Sequence, residues 1–79
     1  MEIKILGPGC PKCKTLEKVT REAVTEAGIT ATIEKIEDIV KIMEYHVIHT
    51  PVLVINEKVV LSGQVPTVNQ VKDILIKNQ

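Results

Sequence analysis

Cys10 and Cys13 are the only two cysteines in the chain, and they flank two residues at a point where a strand has to give way to a helix. Glu2-Ile3-Lys4-Ile5-Leu6 alternates polar and apolar residues, the period of a strand with one buried face. Gly7-Pro8-Gly9 interrupts it. Cys10 then takes a cap-like position, with Pro11 as first helical residue, where a missing amide costs nothing. A thiol at such a terminus lies near backbone amides that lack intrahelical partners, and the helix dipole favours a negative sulfur there. Cys13 follows one turn later on the same face. A Cys-x-x-Cys pair so placed is the pattern of a dithiol that is oxidised and reduced in use. Cys10 is the expected attacking thiolate. Cys13 is the expected resolving thiol, and its nearness makes the second displacement intramolecular. Lys12 and Lys14 add positive potential that salt screens.

The rest of the chain bounds the possibilities. At 79 residues it is one domain, 1–79, small but able to fold alone around an efficient core. With one Tyr and neither Phe nor Trp, that core has to be aliphatic, and its abundant Ile and Val favour strands. A formal net charge of zero without a basic stripe gives no support for nucleic-acid binding. No apolar run is long enough to span a bilayer, and Met1-Glu2-Ile3-Lys4 does not read as a signal peptide. A cytoplasmic setting is expected, where a permanent structural disulfide is rare and a close cysteine pair is catalytic or metal-binding.

Beyond the cysteines, Leu16, Val19, Ala23, Val24 and Ala27 recur at helical spacing, and Gly28 is suited to a left-handed cap. Residues 29–36 read as a second strand, with Ala31 and Ile33 on one face. Asp38 caps a short helix whose buried stripe is expected at Ile39, Ile42 and Met43, with Met43 in the core and Tyr45 at its end, hydroxyl outward. That helix ends before Thr50-Pro51. Val52-Leu53-Val54-Ile55 is a continuous apolar run, as in a strand covered on both faces. Asn56-Glu57 forms a two-residue turn into a strand from Lys58 to Leu61. Thr67 caps a last helix with Val68, Val71, Ile74 and Leu75 inward. The order is βαβαββα.

This order, together with Cys10-Pro11-Lys12-Cys13, Thr50-Pro51 and Ser62-Gly63, resembles the small thioredoxin/glutaredoxin-like redox-active disulfide proteins over essentially the whole chain. The resemblance implies an α/β thioredoxin fold, a four-stranded mixed sheet flanked by three helices. It implies a thiol–disulfide oxidoreductase that reduces protein disulfides through Cys10 and Cys13. Pro51 would be cis and face the disulfide, Thr50 would offer its backbone to an extended substrate, and Gly63 would keep the far wall low. Pro11 and Lys12 would border the substrate. No cofactor is implied on the chain itself. The implied partners are disulfide-containing proteins and an upstream reductase, a flavoprotein of the thioredoxin reductase type. Nothing demands more than a monomer. Thioredoxins proper place Trp before the first cysteine and Gly-Pro between the two, where this chain has Gly9 and Pro11-Lys12. Ser62-Gly63-Gln64 lacks the Asp with which glutaredoxins hold glutathione, which argues against glutathione as reductant.

The rival reading of the thiols is metal carriage. Two cysteines supply half of a tetrahedral zinc site, with His46 and His49 as the available complement, and two thiolates suffice for copper(I). The helix expected at the chain's end argues against a copper carrier, whose fold ends in a strand. A third reading is an adaptor that keeps the shape without turnover. Otherwise His46 and His49 read as solvated loop residues, His49 close enough to Pro51 to tune the site. The lysines read as solvated faces.

Overall fold

The computed structural model describes residues 1–9 and 11–78. Its elements are β1 (Glu2–Leu6), α1 (Pro11–Ala27), β2 (Thr32–Ile36), α2 (Ile39–Met43), β3 (Val52–Ile55), β4 (Lys58–Ser62) and α3 (Val68–Lys77). The strands form one sheet in the order β2-β1-β3-β4. β1 and β2 are parallel, and β1–β3 and β3–β4 are antiparallel. The expected βαβαββα order and mixed four-stranded sheet are therefore present. β2 is shorter than the expected 29–36 because its first residues are engaged in ending α1. Gly28 turns at φ +67°. Its amide donates to Thr25 O, and the Ile29 amide reaches back to Val24 O, both at 3.2 Å. These two bonds complete a Schellman cap, so the strand starts only at Thr32.

The pleat sends alternate residues to opposite faces, and each face has its own core. Ile3, Ile5, Leu53 and Ile55 pack with Leu16 and Ala23 of α1 and Val71 and Leu75 of α3. Leu6, Val52 and Val54 pack with Ile42 of α2. All four β3 residues are buried, as the uninterrupted apolar run requires. Each such aliphatic side chain contributes about 1.5–3 kcal/mol on full burial. The two faces are covered unequally. α2 has only five residues, and of its expected stripe only Ile42 is inside. Ile39 is 60% exposed and Met43 64%, because so short a helix touches the sheet along a single ridge. Met43 is therefore not a core residue.

The termini follow the expected chemistry. Asp38 accepts from the Val40 amide at 2.9 Å. Thr67 accepts from the Gln70 amide while the Gln70 side chain accepts from the Thr67 amide, a complete capping box. Asn56 and Glu57 both turn at positive φ. Opposite β3, the register of β4 shifts between Leu53 and Val54, leaving Val60 as an extra residue. Such a bulge twists an edge strand and blunts it as a template for further pairing.

Two polar features depart from expectation. Lys4 is not a solvated lysine. Its ammonium donates to Tyr45 Oη at 3.2 Å and forms an ion pair with Glu57, and Tyr45 Oη donates to Glu57 Oε2 at 3.3 Å. The hydrogen bond to Glu57 is the main cause that raises the Lys4 pKa, and its counterpart lowers that of Glu57. Thr20 lies in the buried stripe of α1 beside Leu16 and Ala23, fully enclosed. Among the described residues its Oγ1 is the one buried side-chain oxygen without a hydrogen-bond partner.

Two outcomes are expected. Thr20→Val removes an unsatisfied hydroxyl and stabilises the fold by about 1 kcal/mol in urea unfolding; a loss of stability would show that the hydroxyl has a partner. Glu57→Gln lowers stability at neutral pH relative to the parent. A carboxyl whose folded pKa is depressed contributes above its unfolded value, near 4.5, and loses the contribution as pH falls through the folded pKa. The gap between variant and parent therefore closes on acidification, read from thermal midpoints between pH 7 and pH 2.

Candidate active site

Three segments meet at one end of the sheet: the extension of β1, the first turn of α1, and the loop entering β3. Gly7 prolongs the β1–β2 ladder by donating its amide to Ile36 O at 2.9 Å. A Cβ placed on Gly7 would stand 2.3 Å from Cys13 Sγ, 3.2 Å from Cys13 Cβ and 3.9 Å from Pro51 Cα. The sulfur of Cys13 thus rests on the bare backbone beyond β1, with Pro51 beside it. Cys13 is fully buried, and Pro51 is buried as well.

α1 begins at Pro11, where the sequence places its first residue. Pro11 and Lys12 are exposed on that turn. Thr15 Oγ1 donates to Pro11 O at 3.0 Å. Cys10, the expected attacking thiol in a cap-like position, lies outside the described residues, as does its distance from Cys13.

The Thr50–Pro51 peptide is cis, as the resemblance implied. Pro51 O accepts from the Gly63 amide at 2.8 Å, continuing the β3–β4 ladder one pair beyond Val52 and Ser62. Thr50 is half-buried, and its backbone has no hydrogen-bond partner among the described residues. Gly63 has φ +72°, and a Cβ there would lie 3.0 Å from His49 Cβ. Its missing side chain therefore makes room for His49. The Ser62 hydroxyl donates to His49 O at 3.2 Å, fixing this loop from a second side.

Two neighbours of the motif escaped sequence reasoning. One is Gly7, which seats the Cys13 sulfur; its signal was present in the Gly7-Pro8-Gly9 break but read only as punctuation. The other is Glu37, whose carboxylate reaches Gly9 from the β2–α2 connection. Nothing in local sequence pairs residues 9 and 37; only the parallel register of β1 and β2 does. Among the described residues no group of three or more His, Cys, Asp or Glu is arranged to hold a metal ion. His49 packs its Cβ against Gly63, and no described helix is long and apolar enough to cross a membrane.

A mixed sheet in this order, with a cysteine on the first turn of α1 next to a cis proline before β3, defines a thioredoxin fold. A family model described as thioredoxin domain matches residues 1–76. The chain is 40% identical over 75 residues to a thioredoxin of Methanothermobacter thermautotrophicus, covering 95% of this chain and 97% of that one. It is 38% identical over 73 residues to a thioredoxin of Methanocaldococcus jannaschii, covering 92% and 84%. The chain belongs to the thioredoxin-domain family and, at the level of that family, is a thiol–disulfide oxidoreductase.

Gly7→Ala tests the seat of the sulfur. The added methyl collides with Cys13 Sγ and Cβ, so the first turn of α1 has to lift. The expected cost is about 1–3 kcal/mol in denaturant unfolding, the range for overpacking a filled site. Unchanged stability would mean that Gly7 and Cys13 are not in contact.

Proposed function

We propose that this protein reduces disulfides of protein partners through Cys10 and Cys13, acts as a monomer in the cytoplasm, and is recharged by a flavoprotein of the thioredoxin reductase type. The observation that carries the proposal is the seating of the Cys13 sulfur on Gly7 near Pro51, in the first turn of α1. A motif at a helix start favours the thiolate of Cys10. That thiolate attacks one sulfur of the partner's disulfide, forms a mixed disulfide and expels the other sulfur as a thiolate. Cys13, deprotonated, then attacks Cys10 Sγ, closes the Cys10–Cys13 disulfide and releases the second partner thiolate. Two electrons pass from the dithiol to the partner, and the two thiol protons end on the partner's sulfurs. The upstream reductase returns both electrons to the pair.

Several site residues support substrate binding. The unpartnered backbone of Thr50, next to Pro51, suits an extended partner segment that docks by strand-like hydrogen bonds. Pro11 and Lys12 border it on the exposed side of α1, and Gly63 on the other. The couple is expected in the reducing range of about −200 to −270 mV. No bound cofactor enters these steps.

In an insulin-reduction assay with dithiothreitol, Cys10→Ser abolishes acceleration. Cys13→Ser keeps the first attack and accumulates mixed disulfides at Cys10. Equal rates for the parent and Cys10→Ser would overturn the proposal. Stoichiometric copper(I) or zinc protecting both thiols in native mass spectrometry would replace it with metal carriage.

A further inference from the structure

The segment from Asp38 to Ile48, which carries α2 across the thinner face of the sheet, has a weak grip on it. α2 buries one residue, Ile42, and Tyr45 and Val47 add partial cover over Leu6, Val52 and Val54. Ile39, Val40, Met43 and Ile48 are exposed, Ile48 at 90%. Most of the segment's apolar surface is therefore in water even when it is docked, so burial does little to hold it. Its backbone adds nothing. Among the described residues the backbone hydrogen bonds of 38–48 are internal, such as Ile42 N to Asp38 O and His46 N to Met43 O, both at 3.0 Å. Attachment to the sheet resumes only on either side. The Gly7 amide bonds to Ile36 O upstream, and the Ser62 hydroxyl holds His49 O downstream.

Among the described residues one side chain makes the hydrogen bonds from this segment to the sheet. Tyr45 Oη accepts from the Lys4 ammonium on β1 at 3.2 Å and donates to Glu57 Oε2, in the β3–β4 turn, at 3.3 Å, while Lys4 and Glu57 form an ion pair. Lys4 Nζ also stands 5.9 Å from the centre of the Tyr45 ring, within cation–π range. The next residue, His46, has φ +58°, a left-handed turn that a side chain disfavours. The ring thus meets the cluster at a reversal of the chain that has to be held in place.

We infer that residues 38–48 form a strap that opens as a unit while the rest of the fold stays intact, and that the Tyr45 hydroxyl, bridging Lys4 and Glu57, is its latch. Once undocked, a helix of five residues is too short to persist, so opening is a local unfolding. It uncovers Leu6, Val52 and Val54. Leu6 precedes Gly7 and Val52 follows Pro51, so the apolar surface beneath the strap adjoins the seat of the Cys13 sulfur. The closed strap keeps that surface from water, and the latch sets how often it is bared. The inference is independent of the reading of the two thiols.

The test is native-state hydrogen exchange of the full chain, each amide rate taken relative to its unstructured-peptide rate. Ile42 and His46, whose amides bond within the strap, are the reporters, and Leu75, buried in the opposite cluster, is the reference. In the parent the reporters exchange faster than Leu75. Low urea barely changes their rates but raises that of Leu75 steeply, because local opening exposes less surface than global unfolding. Tyr45→Phe keeps the ring and removes the hydroxyl's bonds, and reporter exchange rises roughly three- to tenfold. Thr67→Ala breaks the capping box of α3 on the opposite face. It raises Leu75 exchange about fivefold and leaves the reporters unchanged, since the box is intact whether the strap is open or closed. If the reporters rise with Leu75 in Thr67→Ala, the strap opens only with the whole fold and the inference is overturned. Reporters that exchange at the parent rate in Tyr45→Phe overturn the assignment of the latch.

Discussion

The contact between the Cys13 sulfur and Gly7 sets how α1 lies on the sheet. Cys13, Leu16, Thr20 and Ala23 form one fully buried stripe at spacings of three and four residues. The stripe's first member meets backbone, not side chain. Any residue larger than glycine after β1 would hold the helix start away from the strand. Pro51 Cα lies within ordinary contact range of the same point, so three chain segments meet there. The thiol's environment is therefore a consequence of core packing. It is made from the same contacts that bury Leu16 on Ile3 and Ile5.

The two faces of the sheet divide the work. The face under α1 and α3 is aliphatic and closed, and it carries the buried stripe that positions the motif. The face under α2 is thinner, and there Lys4, on the central strand, needs partners that a longer helix would have replaced with apolar cover. Tyr45 and Glu57 supply them, the ring packing against the cluster of Leu6, Ile42, Val52 and Val54 while its hydroxyl reaches the ammonium. A lysine in a core strand is tolerated because its stem lies along apolar neighbours and its charge ends in hydrogen bonds at the rim. Tyr45 is thus the link between α2 and the turn after β3, more than the wet helix-end residue its sequence position suggests.

What was legible in the sequence is what depends on neighbours along the chain. The Glu2–Leu6 alternation, the Gly28 cap, the Thr67 capping box and the Asn56-Glu57 turn are each specified within a few residues, and each is present. Thr50-Pro51 was readable because the family pattern spans the entire chain. The departures occur where burial depends on distant partners. Periodicity gives α2 a stripe of three apolar residues, but a five-residue helix can bury only the one that faces Leu6 and Val54. Thr20 is polar, so an apolar count along α1 passes over it although it holds a core position. The Glu37–Gly9 approach and the Lys4–Tyr45–Glu57 cluster join residues 12 to 53 positions apart, and they follow from sheet register, which no local signal contains.

The asymmetry of exposure along the first turn of α1 bears on the order of events in the proposed chemistry. Pro11 and Lys12 face solvent, whereas Cys13 is fully buried over Gly7 and presents no surface to a macromolecule. A protein disulfide, carried on a bulky chain, cannot approach that sulfur directly. In the proposed chemistry it is captured first by Cys10 and passed from there to Cys13. Burial of Cys13 thus agrees with the proposed division of roles, in which this thiol acts only on what the other has bound.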